Sequence, residues 1–284
     1  MLGDVVPATD RYLEGVLVAM ATDAAEHGRV NEDFFAAGPA AAVLLDGAGI
    51  RGIESICRHG VAWYTTRLGG ELIARLALAD GRDLVSLLAD SIEAVAGSHR
   101  DTCDLADPSS PSATVAILRL TGAGADHLVL GDSVLVLDPG DAGPDVVHDR
   151  RELVVRERYG AAYEAAPEGS AEKELERARY VTALRANRNQ PGGFWLAKDD
   201  PVAAAQAITG TTPITDRTDA TLLTNGASRL VDRFGAVDWP GALAVVRADG
   251  PAEIIRRVRV AEQAAGIAPD DATVAHCSAL GGES

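Results

Sequence analysis

The chain has 284 residues, 47% of them hydrophobic, and 42 acidic against 26 basic side chains give a net charge of −16. That balance argues against nucleic acid and anionic membrane surfaces as partners, since both are bound through Lys and Arg. No window approaches the ~20 apolar residues of a membrane span, and Met1–Tyr12 carries Asp4 and Asp10 without a basic start or an apolar stretch, so the sequence reads as cytoplasmic with no secretory leader.

In chain order, the apolar runs of strand length are Ala41–Leu45, Ala113–Leu120, His127–Leu130, Val134–Leu137, Glu152–Val155, Ala220–Thr224 and Thr273–Cys277, each bounded by Gly, Asp or Pro. Val129-Leu130-Gly131-Asp132-Ser133-Val134-Leu135 predicts a hairpin. Between the first two runs, Ile53–Leu78 predicts a long amphipathic helix, and Leu84, Leu88, Ile92 and Val95 a second. Ala171–Ala186 predicts a charged, exposed helix, and Pro251 opens another whose buried face is Ile254, Ile255, Val258 and Ala261. Short turns between the middle strands predict largely antiparallel sheets. Pro108–Pro111 and Pro139–Pro144 read as surface loops, and residues 1–284 as a single domain. Cys57, Cys103 and Cys277 are scattered and odd in number; they read as ordinary reduced cysteines, with neither a disulfide framework nor zinc-site spacing.

Five acidic or polar clusters stand at the ends of these strands: Asn31-Glu32-Asp33, Asp46-Gly47-Ala48-Gly49, Gly131-Asp132-Ser133, Asn225-Gly226 and Asp270-Asp271-Ala272-Thr273. A strand fixes a carboxylate at its end, and a neighbouring glycine lets a cation and its waters approach the backbone. Hard cations such as Mg²⁺ and Mn²⁺ take such oxygen ligands. No phosphate-binding glycine loop or nucleophile elbow is present, and the histidines lack a His-x-x-x-His pair.

Taken together, Asn31-Glu32-Asp33, Asp46-Gly47-Ala48-Gly49, Ser112-Ala113-Thr114, Gly131-Asp132-Ser133, Thr224-Asn225-Gly226 and Asp270-Asp271-Ala272-Thr273 resemble the ordered motifs of the PP2C-type (PPM) metal-dependent Ser/Thr protein phosphatases over about residues 25 to 278. Gly192-Gly193-Phe194-Trp195 and Ala227-Ser228-Arg229-Leu230 look like its bacterial branch. The resemblance implies an α+β fold, a four-layer α-β-β-α sandwich of two central antiparallel sheets flanked by helices. It implies two ions, Mg²⁺ or Mn²⁺, sharing a water that attacks a phosphomonoester in line. The substrate would be a phosphorylated protein or a small phosphorylated molecule.

Carried over by position, Asp46 would bridge both ions, the Gly47 carbonyl would bind one, and Asp270 the other. Glu32 and Asp33 would hold metal-bound waters, and Asp132 would be a further ligand. The sequence departs from the pattern in three places. Asn225 stands where the family has a ligand Asp, so the site loses an anionic ligand. Gly28 stands where the family has its phosphate-binding Arg, with Arg29 one place away. Ala48 replaces a His found in some members. Three readings follow: an active phosphatase with a weak second metal site, a metal-poor pseudophosphatase that binds a phosphorylated partner, and an ordinary enzyme with a substitution introduced at 225.

Overall fold

A computed structural model describes residues 17–49, 55–140, 142–167 and 169–281. Ten strands form two five-stranded sheets in which every neighbouring pair is antiparallel. The first sheet runs β2 (Phe34–Gly38), β3 (Ala41–Ala48), β4 (Ser112–Thr121), β5 (Gly124–Leu130), β8 (Ile208–Thr212). The second runs β1 (Leu17–Asp23), β10 (Ala272–Ser278), β9 (Asp219–Leu223), β6 (Val134–Asp138), β7 (Asp145–His148).

Period-two alternation explains how the sheets stack. In β3, Ala42 and Leu44 face the second sheet, where they meet Leu135, Leu137, Ala220, Leu222 and Cys277. Val43 and Leu45 face the other way, onto α1 (Val61–Leu76) and α2 (Leu84–His99) through Leu68, Leu72, Leu88 and Ile92. On the far side of the second sheet, Val134, Val136 and Val274 pack against α5 (Asn225–Asp232), α6 (Trp239–Asp249) and α7 (Pro251–Ala265). The result is the expected α-β-β-α order with three apolar layers. Asp83 caps α2 by accepting from Ser86 N at 2.8 Å, and Pro251 opens α7 as expected. Among the described residues no helix is long and apolar enough to cross a membrane.

The structure departs from the sequence reading at three elements. First, the helix expected from Ile53 begins at Val61. Gly60, at φ 79°, breaks the helical path, and residues 55–60 form turns; residues 53 and 54 lie outside the described residues. Second, Glu152–Val155 is not a strand but lies in α3 (Arg151–Ala165). Arg156 bonds Glu152 one turn earlier at 2.7 Å, and Val155 is buried with Phe194 and Leu196, so helical pairing outweighs the β-branched run. Third, β5 and β6 do not form a hairpin, because they belong to different sheets. Gly131, at φ 79°, carries the chain across the sandwich between them. Strands β1, β2, β7 and β8 and helices α5 and α6 were not expected. The charged helix is α4 (Ala171–Asn187), which buries none of its residues and pairs with α3.

Candidate metal centre

At one end of the sandwich the interior layer turns from apolar to polar. Asp46 follows Ala42 and Leu44 on the inter-sheet face of β3 and pairs in register with Thr114 on β4. Asp33 comes one residue before Phe34, whose partner is Leu45, so the register sets Asp33 beside Asp46. Asp132 occupies the crossing between the sheets. Asn225 opens α5, directly after β9 and Thr224. Four elements from both sheets thus deliver four polar side chains to one place.

Hydrogen bonds tie the cluster together. Asn225 N donates to Asp46 Oδ2 at 3.0 Å, and Asn225 Nδ2 donates to Asp132 Oδ2 at 2.9 Å. Thr224 and Thr273 donate their hydroxyls to Asp33 Oδ2 at 3.1 and 2.7 Å. Asp33 Oδ1 is buried and has no partner. Thr114 and Ser133 share a hydroxyl contact of 2.5 Å beneath the site. Asp271 is not a site group: it accepts Ala25 N and Glu32 N, both at 2.7 Å, and so fixes the segment that carries Asp33.

Electrostatics follow from this crowding. Burial pushes the Asp33 carboxyl from 3.8 up to about 7, aided by the charges of Asp271 and Asp270 and opposed by the two threonines. Burial likewise pushes Asp132 up to about 7, with Glu152 adding to the rise and Arg156 opposing it. Asp46 is held well above the usual carboxylate range by burial first and then by Asp33, Asp132 and Asp270. Three carboxyls that resist ionisation in one another's presence are a site that gains from a cation.

The donors are oxygen throughout, and the unpartnered Asp33 Oδ1 supplies a free lone pair. That set fits a hard divalent ion such as Mg²⁺ or Mn²⁺.

Of the residues singled out from sequence, the structure gathers Asp33, Asp46, Asp132 and Asn225, with Gly47 alongside. The strand end is packed too closely for a side chain at 47: a Cβ there would lie 2.6 Å from Glu32 O and 2.7 Å from Val61 Cγ1. Gly47→Ala is therefore expected to lower stability by about 1–3 kcal/mol through overpacking. It should also weaken Mn²⁺ binding by displacing Asp46; unchanged melting and unchanged metal titration would refute this.

Two residues are paired outside the cluster. Asp270 has a side chain 55% exposed and bonds Arg229 at 2.5 Å, in a network where buried Glu262 also holds Arg229 and Arg259. Its charge still reaches the cluster. Arg29 lies 3.9 Å from Glu32 and, among the described residues, pairs with none of the gathered carboxylates. The sequence reading gave no role to Arg156, which approaches Asp132 to 4.0 Å while bonded to Glu152, nor to the Thr224 and Thr273 hydroxyls. Both threonines sit inside the quoted motifs, whereas Glu152–Val155, at the start of the helix that carries Arg156, has the composition of a strand.

The raised carboxyls make metal stabilisation pH-dependent. A group at about 7 folded and near 3.8 unfolded binds more protons in the folded chain between those values. Its contribution to the metal-free fold is favourable at low pH and is lost as pH rises through about 7. A cation displaces those protons and removes the penalty. The melting-temperature increase caused by Mn²⁺ should therefore be larger at pH 8 than at pH 5, and binding near pH 6 should release protons, measurable by calorimetry in buffers of different ionisation enthalpy. An increase equal at both pH values would mean that the metal binds elsewhere.

No protein-family model matches the chain, and no curated protein matches it in sequence. Solved structures do match in shape. One is the PPM Ser-Thr phosphatase MsPP from Mycobacterium smegmatis in complex with cacodylate, at TM-score 0.57 and 17% identity, covering 92% of this chain and 97% of that one. A second is the catalytic domain of the serine threonine protein phosphatase PstP in complex with two manganese ions, at TM-score 0.58 and 17% identity, covering 93% and 97%. A third is the Mycobacterium tuberculosis phosphatase PstP/Ppp, at TM-score 0.57 and 18% identity, covering 93% and 98%. The chain has the fold of these phosphatases.

Proposed function

We propose that this fold serves here as a metal-dependent phosphomonoester hydrolase, with residues 1–284 forming one catalytic domain. The observation that carries the proposal is the convergence of Asp33, Asp46, Asp132 and Asn225 at one end of the inter-sheet layer, with Asp33 Oδ1 buried and unpartnered. The two manganese ions in the PstP structure support the same reading.

Asp46, the Gly47 carbonyl, Asn225, Asp132 and Asp270 would hold Mg²⁺ or Mn²⁺, two ions in all. When bound, such ions lower the pKa of water and offset the charge of a phosphoryl group in transit. The chain's own groups then divide the remaining work. Thr224 and Thr273 occupy Asp33 Oδ2, which leaves Oδ1 to orient a water and to take its proton. Glu32 stands beside it on the same segment. Arg156, beside Asp132, brings positive charge to the rim, where an anionic phosphoester would approach, and Arg29 is a second candidate for that contact. Substrates would be phosphoserine or phosphothreonine in proteins, or a small phosphorylated molecule.

A second reading is supported by two observations. Asn225 brings no charge, and Asp270 is paired with Arg229. Both weaken the hold on a second ion and favour a protein that binds a phosphorylated partner without hydrolysing it.

Hydrolysis of p-nitrophenyl phosphate and of a phosphothreonine peptide, titrated with Mn²⁺ and then with EDTA, separates the two. Turnover that requires Mn²⁺, rises with pH through about 7–9 and disappears with EDTA is expected. Metal binding with no turnover of either substrate would favour the binding module, and turnover that survives full chelation would end the metal mechanism.

A further inference from the structure

Away from the carboxylates, two loops converge on a different set of donors. Cys57 and His59 lie in the turns before α1, and Cys103 lies in the loop between α2 and β4. Cys103 Sγ is 3.3 Å from Cys57 Sγ and 3.3 Å from His59 Nδ1, and Cys57 Sγ is 3.8 Å from His59 Nδ1. Among the described residues this is the one group of three or more Cys, His, Asp or Glu whose donor atoms all lie within 4.8 Å of one another. All three cysteines are free, as expected, but Cys57 and Cys103, scattered in sequence, meet in space, while Cys277 stays buried in the inter-sheet layer.

We propose that Cys57, His59 and Cys103 form a second metal site, for a thiophilic ion of the Zn²⁺ class, with its fourth position open to water or another ligand. A tetrahedral Zn²⁺, with Zn–S near 2.3 Å and Zn–N near 2.0–2.1 Å, sets two sulfurs about 3.8 Å apart and sulfur and nitrogen about 3.5 Å apart. The three separations in the structure fall within about 0.5 Å of that triangle. A disulfide would instead require the sulfurs to close to about 2.05 Å. The site is also built around its histidine: the His59 ring stacks on Trp63 at 4.3 Å between centroids and meets the edge of His99 at 5.8 Å. The two loops are joined beside it by Asp104 N donating to Ile56 O at 2.9 Å. Two thiolates and an imidazole are soft donors, so the site prefers a different cation from the all-oxygen cluster. Binding displaces the two thiol protons to solvent, and no electron is transferred.

The location gives the ion a structural task. Both loops run toward the carboxylates. One leads into α1, whose Val61 lies against Gly47 and Gly49. The other leads into β4, whose first residue, Ser112, donates to Ala48 O at 2.8 Å. An ion at the convergence would pin both approaches to the strand end that carries Asp46.

The test is metal content and Co²⁺ spectroscopy on the full chain. Protein purified without chelator should carry about one Zn²⁺ per chain after desalting. Replacement by Co²⁺ should give a thiolate-to-cobalt charge-transfer band that is lost in Cys57→Ser and in Cys103→Ser but kept in Asp46→Asn, since carboxylates give no such band. Should a cysteine variant fail to fold, the unaltered chain still decides: Zn²⁺ should slow alkylation of Cys57 and Cys103 by on the order of tenfold or more, because a metal-held thiolate is masked. A wild-type chain without the band, alkylation indifferent to Zn²⁺, a band lost in Asp46→Asn, or peptide mapping that finds Cys57 and Cys103 joined as a disulfide would each overturn the proposal. None of these readouts depends on phosphatase activity.

Discussion

Asn225→Asp is expected to raise Mn²⁺ or Mg²⁺ affinity while lowering the stability of the metal-free chain. Asn225 sits at the start of α5, its backbone N–H on Asp46 and its side-chain amide on Asp132. A carboxylate in its place keeps the backbone contact but turns the second contact from a hydrogen bond into a repulsion. Asp132 already sits at about 7, so the added charge raises the proton affinity of the whole cluster. In the absence of metal that is destabilising by about 1–3 kcal/mol, the usual scale for a buried polar group that loses its partner. With a dication present the sign reverses. Unit opposite charges about 4 Å apart attract by about 4 kcal/mol at an effective dielectric near 20, so even a third of that gives roughly a tenfold gain in affinity. Turnover of p-nitrophenyl phosphate should rise with it. Thermal melts with and without Mn²⁺, paired with calorimetric titration of both proteins, read each half separately. Equal affinities would show that position 225 does not face the ion.

Asp46→Asn should do the opposite on both counts. Asp46 is held well above the usual carboxylate range by its burial at the strand end and by the charges of Asp33, Asp132 and Asp270. An amide oxygen still accepts from Asn225 N, so that hydrogen bond survives. The metal-free variant should therefore melt higher than the wild type at pH 8, where the mutual repulsion is greatest. Metal-dependent turnover should fall by on the order of a thousandfold, which corresponds to about 4 kcal/mol of lost transition-state stabilisation. A gain in stability together with a loss of activity is the signature of a residue retained for chemistry. A variant that loses stability and keeps activity would assign Asp46 to the framework instead.

The parts of this architecture that were legible in the sequence are those where local pattern and tertiary environment agree. Ala41–Leu45 and Ala113–Leu120 are buried on both faces, and their continuous apolar runs say so. Pro251 marks the start of α7 because proline fits only the first turn. Asp46 and Asp132 are legible because each sits beside a glycine at a strand end, and Asp33 because it closes the polar run Asn31-Glu32-Asp33 ahead of an apolar strand.

What was not legible depended on contacts remote in sequence. Leu153-Val154-Val155 has strand composition, and only the Glu152–Arg156 pair and the packing of Val155 on Phe194 make it helical. Leu130-Gly131-Asp132-Ser133-Val134 has a hairpin's composition, and only the partners β8 and β7 assign its two arms to different sheets. The sequence showed that Asn225 departs from an acidic pattern, but not that its amide bridges to Asp132. Cys57 and Cys103 carry no motif because the fold, not their spacing, brings them together.

The α3–α4 pair has a dynamic consequence. Its two helices lie mainly on one another, joined by the stack of Tyr163 on Tyr180 at 5.6 Å and by Lys173 over the Tyr163 ring at 4.3 Å. Among the described residues, its apolar tie to the sandwich is the small cluster of Val155, Phe194 and Leu196 with Leu184 and Ala48. So little buried apolar area lets the pair open as a unit while both sheets stay intact. Its amides should therefore exchange with deuterium through this local opening, faster than those of β3 and β4, which are shielded until the whole chain unfolds. Because Arg156 and Glu152 ride on α3, each such opening withdraws the cation beside Asp132, and under the proposed function the rate at which the pair recloses would set an upper bound on how quickly the rim engages a phosphoester.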